Sequence, residues 1–261
     1  LSLPLYYGVA VLLGFLVSIL SGVLGVGGGL LTTPALRLIL ATPAYIALGT
    51  TLPAIIPTAF SSAWRYARAG FVNRSAFLFT AGFGTAGSLL GSYSTQFFGG
   101  SWMMIFTAVV IFLLGVQMWT QSRRPQREDN ALCQPQPAWK KAVVGFSGGL
   151  VSGFLGVGGG LLLVPAYMLV LEMPMKECLG TSLASVAVIA IPGTVVHALL
   201  GHIDPWLALA LAVLAIPGAN MGAGWALKRK NQQLVRIFAV FLLTVALVFG
   251  LSELIRLFHP A

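Results

Sequence analysis

Charge is what this chain has least of. Charged residues make up 8% of its 261 positions, against about a quarter in soluble domains, so water cannot be its main solvent. Acids are scarcest: six Asp and Glu stand against fifteen Lys and Arg, a formal net charge of +9. The apolar segments hold no metal-spaced His/Asp/Glu cluster, no nucleophile triad and no paired carboxylates, so no enzyme, metal or cofactor is expected. The two cysteines, Cys133 in a polar stretch and Cys178 in an apolar one, lack metal-ligand spacing and the density of a disulfide framework, and are expected as free thiols. The bases sit in short clusters between apolar runs rather than along an aromatic groove, which argues against nucleic acid as a partner. No basic n-region followed by a small-residue cleavage site opens the sequence, so the apolar run from Leu3 is expected to remain as a first helix.

What the chain has in abundance is apolar sequence, 57% of it, and that sequence is duplicated. G-V-L-G-V-G-G-G-L-L-T-T-P-A from Gly22 to Ala35 returns as G-F-L-G-V-G-G-G-L-L-L-V-P-A from Gly153 to Ala166, 131 positions later. The offset holds without a gap from Gly14/Gly145 to Asn73/Asp204, with roughly two dozen identities in about sixty. Duplicated membrane units whose matching segments are each interrupted by glycine and proline point to a transporter with its site between the repeats.

Five apolar segments are expected in each half: about 5 to 24, 30 to 41, 44 to 66, 75 to 98 and 101 to 120, then about 142 to 155, 161 to 171, 174 to 200, 205 to 227 and 234 to 257. The second of each set is too short to cross a bilayer and is expected as a half-helix. The fold class is therefore an all-α integral membrane protein with about eight long transmembrane helices plus two half-helices. Residues 1–120 form the first repeat and 140–261 the second, joined by a polar, proline-punctuated linker over 121–139 that reads as disordered.

Basic residues accumulate on the cytoplasmic side of membranes. Arg65, Arg68 and Arg74 form one cluster; Arg123, Arg124, Arg127, Lys140 and Lys141 a second; Lys228, Arg229, Lys230 and Arg236 a third. The equivalent turns of the opposite halves, Gly99 to Ser101 and Gly201 to Pro205, carry no Lys or Arg. That is the charge signature of an inverted repeat, with a cytoplasmic linker and both termini outside the cytoplasm. Whether the first two segments of each half form a re-entrant hairpin or two crossings is left open.

Four glycines in five positions, Gly25 to Gly29 and Gly156 to Gly160, cannot be a stable helix interior. Broken backbone at membrane depth is tolerated only where it is buried in protein or lines a watery cavity. Each half-helix would then start with free amides, which favour an anion. Gly27, Gly28, Gly29, Gly158, Gly159 and Gly160 are accordingly candidate substrate-binding residues, the competing reading being close helix packing. Pro34 and Pro165 follow as candidate cavity lining, and Thr33 is a candidate cap for the first half-helix.

The pairs Thr50-Thr51 and Thr181-Ser182 offer hydroxyls to an anion without bringing charge into the membrane; bonding back to their own helix carbonyls is the equal alternative. His197, whose counterpart is Tyr66, is the proton-coupling candidate, although a lone histidine more often serves in packing. Arg37 is expected to snorkel, and Glu172, Lys176 and Glu177 to form a solvated cap. Asn220 either lines the cavity or bridges helices.

At these residues the chain resembles the TauE/SafE sulfite exporter family of bacterial membrane proteins. The likeness rests on the duplicated G-x-G-G-G-x-x-x-x-P, on L-G-T-S-L at Leu179 to Leu183, and on His197 ahead of Gly201 to Asp204. The first half has L-G-T-T-L and no histidine. The resemblance implies a carrier in the bacterial inner membrane for small sulfur-containing anions such as sulfite, sulfoacetate or related organosulfonates, driven by the proton gradient with alternating access. The lipid bilayer is its other partner. An anion channel built from the same half-helices is the alternative.

Overall fold

The computed structural model describes residues 3–98, 100–124, 136–156 and 158–258. Most of the expected linker, with Cys133, lies outside the described residues. Those residues are all-helical, without a strand. The first half comprises α1 (Leu3–Leu24), α2 (Gly29–Ile39), α3 (Ala44–Arg68), α4 (Arg74–Ser94), a 3-10 turn over Thr95–Phe97, and α5 (Gly100–Ser122). The second comprises α6 (Ala138–Leu155), α7 (Gly160–Leu169), α8 (Met175–Leu199), α9 (Pro205–Ala212), α10 (Ala215–Leu227) and α11 (Asn231–Phe258).

The repeat is visible in the helix boundaries. α2 and α7, α3 and α8, α4 and α9, and α5 and α11 each begin 131 residues apart. Local chemistry explains the shared limits. Pro43 and Pro174 stand at the N-caps of α3 and α8, where a missing N–H costs nothing. Gly70 and Gly201, at φ +81° and +70°, end those helices in the left-handed conformation. Asn73 then caps α4 through the Ala76 amide, and Asp204 caps α9 through the amides of Trp206 and Leu207.

One expected segment is not continuous. The stretch 205 to 227 divides into α9 and α10, bent by 43°, while its counterpart α4 runs unbroken. Pro217 occupies the place of Ala86 in the first half; it has no N–H for the Val213 carbonyl and its ring crowds that turn.

The halves are interleaved rather than side by side. α1 packs along α9 and α10 of the second half, α6 packs along α4 of the first, and α3 lies against α8, α5 against α11. Small residues permit the close crossings: a side chain on Gly149 would strike the Gly84 backbone, and one on Gly222 the Ile19 backbone. α3 and α8 run antiparallel, because the Asn73 amide after α3 donates to Thr181 Oγ1 near the start of α8, and the Asp204 amide after α8 donates to Thr50 Oγ1 near the start of α3, both at 2.9 Å.

The surface is apolar and much of the interior hydroxyl-bearing. Leu12, Trp206 and Leu199 are exposed, whereas Ser21, Thr50, Ser88, Ser152 and Thr181 are buried. Among the described residues, five helices are long and apolar enough to cross a membrane, or six with α9 and α10 as one span. The chain is thus a multi-pass membrane protein.

Contacts gather the three basic clusters at one end of the bundle. The Arg65 guanidinium fills the space beside Gly224, Gln232 at the start of α11 bonds the Ser122 carbonyl at the end of α5, and Lys141 at the start of α6 bonds Ser75 at 2.8 Å. At that end Arg68, Arg123 and Arg229 each cover a tryptophan one turn earlier, Trp64, Trp119 and Trp225, the amphipathic pairing of a membrane boundary. Tyr45, His202 and Asp204 occupy the opposite end.

Candidate functional site

Both helices break at the glycines. Gly25, Gly27 and Gly28 take φ +72°, +74° and +95°, and Gly156, Gly158 and Gly159 take +60°, +81° and +57°, conformations that side chains strain. The breaks meet: a Cβ on Gly160 would come within 2.5 Å of Val26 Cα and 2.8 Å of the Gly25 oxygen. Ile55 of α3 lies beside both Gly27 and Gly158, and its repeat counterpart Val186 touches Gly27. Each break also abuts the opposite half, Gly25 against Leu179 and Gly156 against Leu48. The structure therefore brings together at one centre the candidate glycines of both halves and the starts of α3 and α8.

The half-helices start at the glycines, with Gly28 and Gly159 as their N-caps. The expected Thr33 cap is thereby corrected. Thr33 lies within α2 and donates to Thr51 Oγ1 at 3.3 Å, since the run of glycines already supplies the turn. Pro34 and Pro165 are buried inside the half-helices, where each lacks the N–H that would bond the carbonyl four residues back. The amides of Gly28 and Gly29 meet no acceptor among the described residues, because Leu31 and Thr32 both bond the Gly28 carbonyl.

The expected hydroxyls are engaged by the fold. Thr50 and Thr181 each accept an amide from the opposite half, leaving only the hydroxyl proton to offer. Thr51 donates to Ala47 O at 2.7 Å, and Ser182 to Gly25 O at 2.9 Å. Asn220 donates to Ser61 Oγ and Ile216 O and borders an apolar groove with Pro57, Phe60 and Trp64; it is a helix bridge rather than part of the glycine centre. Arg37 reaches the Thr42 carbonyl at 3.4 Å.

Two residues that sequence reasoning passed over stand at the glycine centre. Ser21 and Ser152 are fully buried, and their hydroxyls have no hydrogen-bond partner among the described residues. Ser21 Oγ lies 3.7 Å from the Cβ position of Gly28, and Ser152 Oγ 3.5 Å from that of Gly159. They are repeat equivalents, identical in both copies and immediately ahead of the Gly-rich motif, which is the signal that could have found them. Ser88 and Ser92 of α4 are likewise buried without partners and face Gly193. Their equivalents are Ala219 and Ala223, so the two half-sites differ.

His197 Nε2 donates to the Gly153 carbonyl at 3.1 Å, and its counterpart Tyr66 donates to the Gly22 carbonyl at 3.1 Å. Each closes its own α1-type helix above the break. His197 has a further neighbour, His202 Nδ1 at 3.2 Å from its own Nδ1. With Nε2–H given to Gly153, the neutral His197 ring presents an Nδ1 lone pair, which His202 Nδ1–H satisfies. His202 stacks on Tyr45 and lies in the turn outside the spanning helices, where partial burial lowers its pKa below the ordinary histidine value.

Comparison with known proteins places this geometry in a family. The family model described as Sulfite exporter TauE/SafE matches residues 10–249. The chain is similar to a probable membrane transporter protein YunE of Bacillus subtilis (strain 168), at 29% identity over 91% of this chain and 94% of the relative. It is also similar to a probable membrane transporter protein of Xylella fastidiosa (strain Temecula1), at 30% identity over 90% of this chain and 91% of the relative. No solved structure matches.

Proposed function

Because the chain belongs to the TauE/SafE sulfite exporter family, whose curated relatives are named probable membrane transporters, we propose that it is a secondary transporter of small sulfur-containing oxyanions. Sulfite, sulfoacetate and related organosulfonates are the substrates, the inner membrane is the location, and the proton-motive force is the driver. The two repeats, residues 1–120 and 140–261, are inverted about a cytoplasmic linker with both termini outside. The antiparallel α3–α8 pair supports that reading, as does the gathering of all three basic clusters at one end. Eight long helices, with α9 and α10 as one, cross the bilayer, and α2 and α7 are the half-helices.

The observation that carries the proposal is the pair of buried hydroxyls, Ser21 and Ser152, unpartnered among the described residues and each beside the start of a half-helix. A buried hydroxyl without a partner costs about 1–3 kcal/mol, and free amides beside it carry partial positive charge. A bound oxyanion satisfies both. Gly27, Gly28, Gly29, Gly158, Gly159 and Gly160 allow its approach, and Thr50, Thr51, Thr181 and Ser182 hold the two breaks in register. No full charge is brought into the membrane, so the empty site can reorient. His197 and His202 form the proton-coupling element at the extracytoplasmic end.

Purified protein in liposomes, assayed with labelled sulfite, sulfoacetate and thiosulfate, tests the proposal. Saturable uptake that accumulates one of these anions against its gradient when a pH gradient is imposed, and that a protonophore abolishes, is the expected result. Flux that never saturates and only dissipates gradients would instead establish an anion channel.

A further inference from the structure

Grooves open near the start of α5 and near the start of α11, and their linings differ. In the first half, the turn before α5 leaves a groove of about 480 Å³ lined by Phe98, Met103, Phe106 and Phe154. In the second half, the turn before α11 leaves a groove of about 370 Å³ lined by Trp225, Arg229, Gln232, Gln233, Arg236 and Ile237. The 131-residue offset carries Phe98 onto Arg229 and Phe106 onto Ile237, while the other lining residues of the two grooves do not correspond. The groove before α11 holds two guanidinium groups, whereas the groove before α5 is lined by aromatics and Met103.

Arg236 is the more telling of the two. It lies five residues into α11, roughly 8 Å along the axis, within the stretch Asn231–Val248 that is apolar enough to cross a membrane. Arg236 is exposed, and a cation near the end of a spanning helix extends to the interface, where an anion stabilises it. Neither Arg236 nor Arg229 pairs with a carboxylate among the described residues, and Arg229 instead lies over Trp225 at 4.6 Å. The start of α11 adds to the field: the amides of Gln233 and Leu234 both bond the Lys230 carbonyl, and the positive end of the helix dipole lies beside the groove. One turn deeper, Ile237 and Val240 continue the same side of α11 as exposed apolar surface.

We propose that this cavity binds the phosphate of an anionic phospholipid, with Arg229 and Arg236 gripping the headgroup, Trp225 at its edge, and an acyl chain lying along Ile237 and Val240. A tetrahedral oxyanion suits two guanidinium forks. A free oxyanion shares that chemistry, but the apolar surface continuing from the cavity fits a lipid. The site is separate from the glycine centre, so it stands or falls independently of the transport reading.

The test uses the full chain in neutral detergent. Phosphatidylglycerol is added against phosphatidylcholine, with inorganic phosphate and isethionate as soluble arms, and the thermal unfolding midpoint and the lipid retained in native mass spectra are measured. Wild type should retain phosphatidylglycerol over phosphatidylcholine roughly thirtyfold, the ratio that two basic residues supply at about 1 kcal/mol each, and its midpoint should rise only with the anionic lipid. Arg229→Gln with Arg236→Gln should lose both effects, whereas Lys228→Gln with Lys230→Gln, the same charge change in the same turn, should keep them. The proposal is overturned if wild type retains the two lipids equally, if the arginine variant keeps its preference, or if the lysine variant loses as much. Equal stabilisation by inorganic phosphate or isethionate would overturn it in favour of a soluble-anion site.

Discussion

Replacing Ser21 or Ser152 by alanine should move stability and affinity in opposite directions. Each change removes one oxygen that is fully buried and bonds to nothing among the described residues, and leaves packing volume almost unaltered. In the empty protein that oxygen is a liability of about 1–3 kcal/mol, so each variant should unfold at a higher temperature than wild type, by about 1 kcal/mol at the low end of the range. In the anion complex the same oxygen donates to a charged acceptor, a bond of about 1.5–3 kcal/mol, so its loss should weaken binding by roughly tenfold to a hundredfold. Thermal unfolding in detergent without anion and with a sulfite or sulfoacetate titration reads both quantities from one sample. Ser147→Ala is the control, since that hydroxyl is exposed and bonds Val143 O at 2.9 Å; it should change neither. A Ser21→Ala protein that is less stable when empty and binds the anion as tightly as wild type would refute the reasoning, because the hydroxyl would then have a structural partner.

Three further outcomes are expected. Gly149→Ala should destabilise the fold by about 1–3 kcal/mol or more, since its Cβ would fall within 2.6 Å of Gly84 Cα, whereas Gly82→Ala in open space on α4 should be neutral or stabilising by about 1 kcal/mol; equal melting temperatures would mean that α4 and α6 do not cross this closely. In a background without Cys133 and Cys178, single cysteines at Ser101 and Asp204 should label from outside and one at Ser122 from inside. Labelling of Ser101 and Asp204 from opposite sides would make the repeats parallel. His197→Gln retains a donor for the Gly153 carbonyl but cannot titrate, so equilibrium exchange should survive while proton-driven accumulation of a permanently ionised sulfonate falls; unchanged pH dependence would remove this histidine from coupling.

Much of the architecture was legible because its determinants are local. Glycine at left-handed φ, proline at a helix start and an Asn or Asp cap act within a turn of themselves, and the duplication repeats them at one offset. The division of 205 to 227 was legible in principle, as Pro217 stands where the first half has Ala86, but the long apolar run masked it. The roles of the hydroxyls were not. Thr50 and Thr181 looked like ligands, yet their oxygens take amides more than 100 residues away. Ser21 and Ser152 looked like ordinary helix residues, and what distinguishes them is that no described residue partners their hydroxyls.

The sequence alone determined the solvent, the duplication, the positions of the helix breaks and the family, since scarcity of charge, periodic apolar runs and glycine spacing act on the chain one segment at a time. Only the tertiary structure decided that α1 packs on α10 and α6 on α4, that both breaks meet around Ile55, that His202 completes His197, and that the groove before α11 is lined with two guanidinium groups. Such facts are relations between residues far apart in the chain. They depend on which backbones can approach, and at the α4–α6 and α1–α10 crossings that is settled by glycines on both helices.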